Sequence, residues 1–464
     1  MCRLVKSSRV LAIASKKTMD IKKLDHRGMK IRPTDEILPL SKLLILALQH
    51  VLAMYAGAVT VPIIVGTALK FADDQVAYLI SSDLLACGII TIIQCIGIGG
   101  VGVRLPIMMG VTFVAIGPGI SIAANPDLGL PGVFGATMIS GIIGLFIAPI
   151  FSRLSFLFAP VVTGTAMLLI GLSLMGPAIA WASGVGTGGS GDMPSIGIAL
   201  LVIFTILATA RFGVGFLSNT AVLVGIVFGY LLTFMMGWIT YTKVIEADWF
   251  AVVEPLHYGL PRFDAAAILS MIIVMLITMV ESSGMMFALG RIVEQPLTEK
   301  SLARGLRADA LGAFVGGLFN SLPYTSYSQN VAMVSMTGIR SRFVCATAGA
   351  FLIGLACIRK LSFLVTSIPL PVLGGAALVM FSMVAANGIE TLSHANLGRN
   401  RQNLYVVALA LGVGMIPILN KGFFDHLPPS VSTFLHNGVL LGILTAIILN
   451  LVLNAGSKKQ SNAD

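Results

Sequence analysis

Charge is what this chain of 464 residues has least of: Asp, Glu, Lys and Arg together make up 11% of it. A soluble protein of this size needs about a quarter charged residues to cover its surface. With 56% hydrophobic residues and a mean hydropathy of +0.94, lipid must do that covering, so length counts membrane spans rather than soluble domains. Cysteine is sparse too. Cys2, Cys87, Cys95, Cys345 and Cys357 are odd in number, four of them lie in apolar runs, and none forms a CxxC pair or sits at ligand spacing from a His. That excludes a disulfide framework and a metal site. Also missing are a phosphate-cradling loop, a Ser-His-Asp arrangement, a haem motif and a nucleotide-binding fingerprint, so nothing indicates ATP use, a cofactor or a membrane-embedded enzyme. No signal peptide is visible: Arg9-Val-Leu-Ala-Ile-Ala-Ser15 is too short and lies in a basic segment, while Met29 opens a stretch that reads as a natural short tail.

What is present is a series of apolar runs. A spanning helix needs about 20 apolar residues, fewer where neighbours bury it. Spans are expected near 43–66, 76–98, 106–121, 131–150, 157–181, 195–210 and 217–240. After a polar loop at 241–263, a second set lies near 265–290, 308–322, 327–338, 343–366, 371–388, 403–419 and 433–453. The expectation is an all-α polytopic membrane protein with fourteen transmembrane segments in two groups of seven.

The basic residues orient it. The net charge of +10 is concentrated at the start, where residues 1–42 hold eleven Lys and Arg. This reads as a cytoplasmic tail rather than a nucleic-acid site. An even span count then puts both termini in the cytoplasm. The expected inner loops hold eleven basic residues (Arg104, Arg153, Arg211, Arg291, Lys300, Arg304, Arg307, Arg340, Arg342, Arg399 and Arg401). The outer ones hold six (Lys70, Lys243, Arg262, Arg359, Lys360 and Lys421), of which Arg359 and Lys360 fit worst. The domain reading is a basic tail over 1–40, a first repeat over 41–240, a second over 264–455 and a short cytoplasmic tail over 456–464. The Gly-rich stretch Gly184–Gly191 reads as a flexible outer linker.

The halves look related. Pro160-Val-Val-Thr-Gly-Thr-Ala-Met167 opens the fifth span, and Pro371-Val-Leu-Gly-Gly-Ala-Ala-Leu378 opens the fifth of the second half. Seven is odd, so the second repeat is inverted across the membrane, a transporter device. The third span of each half is short and interrupted, at Leu105-Pro-Ile-Met and Gly117-Pro-Gly119 in one and at Ser321-Leu-Pro-Tyr-Thr-Ser-Tyr-Ser-Gln-Asn330 in the other. Broken backbone at membrane depth is tolerated only where protein or a cavity surrounds it. Paired interruptions point to the substrate site.

Three acids fall inside spans: Asp83, Glu281 and Asp309. A carboxylate in hydrocarbon costs several kcal/mol, so it faces a cavity or holds a proton. Glu281, mid-span, suits a ligand that accepts N–H bonds from a flat heterocycle. Asp309, at the start of its expected span, is either a helix N-cap or functional. Asp83 reads as structural. His50, in the first span, is a structural donor or a proton carrier. Gln329 can read a purine edge with its amide, and Phe113 can stack on a ring or simply pack. Asn330 follows Gln329, and Thr112 precedes Phe113, at the two breaks.

On these residues the chain resembles the nucleobase–ascorbate transporter family over about residues 36–455. The family signature reads Gln or Glu, Asn, any residue, Gly, four of any kind, Thr, then Arg, Lys or Gly. Here Gln329-Asn-Val-Ala-Met-Val-Ser-Met-Thr-Gly338 matches it except at Ala332, where the family has Gly. Gln49-His50, Val111-Thr-Phe113, Glu281 and Asp309 match as well. The wording around Leu48–Gly57 is most similar to bacterial uric acid and xanthine permeases. The resemblance implies a core and a gate domain, elevator-like movement, proton symport and a homodimer in the inner membrane. It implies that Glu281 and Gln329 hold the purine beside short strands at the breaks, and that Glu281, Asp309 and His50 serve proton coupling. Met285 departs from relatives that carry a titratable residue there. A uracil permease, with Glu at the position of Gln329, and a sulfate-type anion exchanger are the rival expectations.

Overall fold

The computed structural model describes residues 32–153, 160–184, 191–398, 400–420, 422–424, 426, 435 and 438–454. Most of the basic tail before residue 32, the final tail, most of the 184–191 linker, Arg399 and Lys421 therefore lie outside the described residues.

Most apolar stretches among the described residues are helical. Eight helices among the described residues are long and apolar enough to cross a membrane: Leu40–Ala68, Asp73–Ile96, Gly129–Arg153, Pro160–Ala182, Met193–Phe212, Ala265–Ile292, Leu370–Ser393 and Arg401–Leu419. Shorter apolar helices cover Phe113–Ala123, Ala221–Met235, Arg342–Ala356 and Gly438–Asn454. Side-chain caps fix several starts. Asp264 Oδ1 accepts the Ala267 N–H at 2.8 Å, Asp192 accepts from Ser195 and Thr298 from Ser301.

Several boundaries differ from expectation. The helix expected at 308–322 runs Glu299–Leu318, because Thr298 and Ser301 form a capping box nine residues earlier. Arg304 and Arg307 are thus on a helix rather than in a loop. Asp309 is mid-helix and fully buried, so it caps nothing. The span expected at 157–181 consists of Pro160–Ser173 and Met175–Ala182, and that at 343–366 of Arg342–Ala356 and Arg359–Thr366. The loop after residue 240 contains a short helix, Thr242–Glu246.

The interrupted third spans meet as a two-stranded antiparallel sheet. Strand β1, Met109–Val111, pairs with β2, Tyr324–Ser326, with Met109 opposite Ser326, Gly110 opposite Thr325 and Val111 opposite Tyr324. Thr112 N–H donates to Pro323 O at 2.9 Å and Tyr327 N–H to Met108 O at 3.0 Å, extending the ladder at both ends. Broken backbone is thereby satisfied by its own counterpart. Gly110 is required here, since any Cβ would collide with the Tyr327 ring.

Packing sorts the helices into two groups. Around the strands, Gly129–Arg153 packs along Glu299–Leu318, Asp73–Ile96 along Arg342–Ala356, Gly129–Arg153 against Ala265–Ile292, and Leu40–Ala68 against Arg342–Ala356. In the other group Leu370–Ser393 packs on Pro160–Ser173 and on Met193–Phe212, Arg401–Leu419 on Gly438–Asn454, and Met193–Phe212 on Ala221–Met235. Exchanging each helix for its counterpart in the other half turns Leu370–Ser393 on Pro160–Ser173 into itself, Leu370–Ser393 on Met193–Phe212 into Pro160–Ser173 on Arg401–Leu419, and the remaining pairings into one another. Where Asp73–Ile96 crosses Arg342–Ala356 the backbones touch: a Cβ on Gly88 would lie 2.5 Å from Gly349 O, and one on Gly349 2.8 Å from Gly88 O.

Candidate functional site at the paired strands

Each strand leads into a half-helix. Thr112, after β1, has its hydroxyl 3.3 Å from the Val114 N–H it accepts, starting the single turn Phe113–Ala115 and the helix Ile116–Ala123. After β2, Tyr327 leads into Ser328–Thr337. Half-helices that begin at a break in mid-fold direct their free N–H groups and positive dipole ends toward it.

Strand alternation then divides the neighbours. Thr325 turns toward Ala265–Ile292: its hydroxyl lies 3.2 Å from Ser282 Oγ and faces the partly buried Glu281 carboxyl. Ser326 N–H donates to Ser282 Oγ at 3.1 Å. Ser282 faces Asp309, whose carboxyl is also within electrostatic reach of Glu281. Asp309 Oδ1 accepts from Gln94 Nε2 at 3.3 Å, and Gln94 Oε1 accepts the Val103 N–H at 2.9 Å. One polar line therefore runs from Glu281 through Thr325 and Ser282 to Asp309 and Gln94. Tyr324, one residue before Thr325, reaches the other way, to Asp83.

The remaining sequence candidates are distributed around this line. Gln329 is exposed in the first turn of Ser328–Thr337, a helix packed against Ala265–Ile292. Asn330 is fully buried, and its amide donates to His50 Nδ1 and to His50 O, each at 3.0 Å. Its side chain thus reaches Leu40–Ala68. Phe113 stands edge-on to Phe381 of Leu370–Ser393, centroids 5.6 Å apart, where the two helix groups meet. Thr112 is fully buried and its oxygen is used as a cap. Sequence reasoning passed over Ser282, Thr325 and Gln94. Their signal was polarity inside apolar runs, and Thr325 lay within the broken segment itself.

This arrangement is a partly buried acceptor, an exposed amide and two helix N-termini around a broken span. Chemically it offers N–H donors and carboxyl and amide acceptors to a small polar molecule. A family model described as a permease family matches residues 41–421. The chain belongs to the nucleobase–ascorbate transporter family of permeases. It is a multi-pass membrane transporter, not an enzyme.

The permease is 50% identical over 428 residues to the uric acid transporter UacT of Escherichia coli (strain K12), covering 91% of this chain and 89% of the relative. It is 38% identical to the xanthine permease of Bacillus subtilis (strain 168), covering 90% and 95%. It is 39% identical to the nucleobase transporter PlUacP of Paenibacillus larvae, covering 91% and 97%. In fold it is similar to the transmembrane domain of the cyanobacterial bicarbonate transporter BicA, with TM-score 0.56, 14% identity and coverage of 90% and 99%. The murine anion transporter Slc26a9 gives TM-score 0.55, 11% identity and coverage of 91% and 70%. At these identities the likeness speaks of fold alone.

Proposed function

We propose that this permease carries uric acid or xanthine across the bacterial inner membrane together with a proton. The observation that carries the reading is the meeting of Glu281, Thr325 and the first turn of Ser328–Thr337 at the paired strands. A carboxylate accepts the N–H groups of a flat heterocycle, the exposed Gln329 amide supplies one donor and one acceptor for a purine edge, and Phe113 offers an apolar ring beside it. The names of the relatives, uric acid transporter and xanthine permease, support the same substrate class. Gln rather than Glu at position 329 ranks uracil below the purines.

For the transport step, we take the group around the strands as the moving core and the group built on Pro160–Ser173 and Leu370–Ser393 as the gate. Packing that is dense within each group and sparser between them supports an elevator movement, with Phe113 edge-on to Phe381 at one point where they meet. The exchangeable pairing of helices supports fourteen spans in two inverted repeats, 41–240 and 264–455, both termini cytoplasmic. Glu281 and Asp309 are the proposed coupling carboxyls. His50 and Asn330 hold the broken helix against the first span, and the assembly is taken as a homodimer.

Uptake of radiolabelled urate, xanthine, uracil and guanine in cells lacking their own carriers tests the substrate. Saturable uptake of urate or xanthine is expected. Uptake of uracil alone overturns the reading.

A further inference from the structure

Asp83 and Asp309 occupy matching places in two helices that the packing treats as counterparts. Each is the eleventh residue of its helix, Asp73–Ile96 and Glu299–Leu318. Each sits about 15 Å along the axis from the helix start, given a rise of about 1.5 Å per residue. Asp83 is 1% exposed and Asp309 0%. In both, one carboxyl oxygen accepts hydrogen bonds while the other, Oδ2, has no partner among the described residues. In the fourteen-span reading the two helices start from opposite faces, so the acids approach the midplane from opposite sides.

The surroundings of Asp83 do not explain a carboxylate. Oδ1 accepts from Tyr324 Oη at 2.7 Å and from Ser321 Oγ at 2.9 Å. The titratable groups facing it are Cys87 on its own helix, Tyr324 and Tyr327; none of these is a cation. A permanently charged, uncompensated acid here would cost several kcal/mol, and a purely structural acceptor needs only Oδ1. The spare oxygen suits a proton. Ser321 and Asn320 are the polar lining of a cavity of about 30 Å³, large enough for a water molecule. Asn320 in turn donates to Glu254 O in a loop whose Glu254 side chain is 73% exposed. Inward, Tyr324 is the β2 neighbour of Thr325, the partner of Glu281.

We propose that Asp83 is a second proton-carrying carboxyl of the transport cycle, the counterpart of Asp309 on the helix that enters from the other face. A proton binds at Oδ2 while Tyr324 and Ser321 hold Oδ1, and its release restores the carboxylate; no other bond changes. This rests on the proton-coupled reading above.

The test compares two modes in proteoliposomes. Purine accumulation driven by an imposed pH gradient needs net proton movement, whereas purine–purine exchange needs none. Asp83→Asn should lower gradient-driven accumulation at least tenfold and leave exchange within about twofold of wild type. Unchanged accumulation, or equal loss of both modes in a protein with wild-type thermal stability, overturns the proposal. Should Asp83→Asn not fold, Tyr324→Phe removes one donor while keeping the acid. It should shift the pH profile of accumulation but not of exchange, and an unshifted profile likewise overturns the proposal. Wild-type protein that accumulates no purine under the gradient would instead sink the proton-coupled reading itself.

Discussion

Asn330 Nδ2 lies 3.0 Å from His50 Nδ1 and 3.0 Å from the His50 carbonyl, so one amide ties the helix Ser328–Thr337 to Leu40–Ala68. An amide that donates to Nδ1 leaves that nitrogen as acceptor, which places the ring hydrogen of a neutral imidazole on Nε2. Asn330→Ala would take a buried amide donor from both acceptors, leaving His50 Nδ1 only the Cys345 thiol at 3.8 Å. The expected loss is about 1–3 kcal/mol of stability, read as a lower melting temperature in detergent. A double-mutant cycle with His50→Ala should show coupling of about 0.5–3 kcal/mol. Strict additivity would show that the contact carries no energy.

Glu281→Gln and Gln329→Ala should insert normally and lose transport. A lost hydrogen bond to a charged group costs about 1.5–3 kcal/mol, roughly 10- to 150-fold in affinity. Binding of urate or xanthine to purified protein measures it. Wild-type affinity in either variant would place the substrate elsewhere.

Gly88 and Gly197 predict opposite outcomes for the same added volume. A side chain at Gly88 meets Gly349 O at 2.5 Å and must part the two helices. Gly88→Val is expected to cost about 1–3 kcal/mol or more. Gly197, inside Met193–Phe212, has nothing within 4 Å of a built Cβ. Gly197→Ala should be neutral or raise the melting temperature, since alanine is the better helix former by about 1 kcal/mol.

Outside the spans, Arg340 Nη2 lies 2.8 Å from Glu294 Oε1, and that hydrogen bond and charge hold the Glu294 carboxyl below its usual range. A depressed carboxyl contributes stability that is present above its ordinary value and lost as pH falls through the lowered one. Arg340→Gln should flatten this acid limb of the stability curve and leave uptake at neutral pH unchanged. The pair is exposed, so high salt should flatten the limb as well.

The driving force should depend on the charge of the purine. One proton carried with neutral xanthine moves net charge, so the membrane potential contributes about 2.3 kcal/mol per 100 mV. One proton carried with the urate monoanion moves none, leaving the pH gradient at about 1.36 kcal/mol per unit. Collapsing the potential with a potassium ionophore at fixed pH gradient should weaken xanthine accumulation and spare urate. Equal sensitivity of both would rule out the one-proton scheme.

Helix existence was legible from apolar runs because lipid imposes it: a backbone in hydrocarbon must satisfy itself, and long helices do so locally. Glu281 was legible for the same reason, as a lone carboxylate in an apolar run is costly. The start of Glu299–Leu318 was not. Its first eleven residues carry Glu299, Lys300, Arg304, Arg307 and Asp309, which reads as loop in any hydropathy window, yet the Thr298 cap and the packing along Gly129–Arg153 make it helix. Hydropathy measures exposure to lipid, and this helix is largely enclosed by other helices.

The sequence by itself determined that the chain lives in a membrane, that two spans are broken at corresponding places, and which family signature stands at the second break. Each of these is a local property, written in consecutive residues. Only the tertiary structure decided that the breaks pair as strands, that Thr325 faces Glu281 while Tyr324 faces Asp83, that Asn330 is spent on His50, and that Gln94 closes on Asp309. Those partners lie up to 280 residues apart, and nothing in local composition ranks one distant polar group above another. Strand alternation and helix packing do, by leaving each buried group only the neighbours that geometry brings within hydrogen-bonding reach.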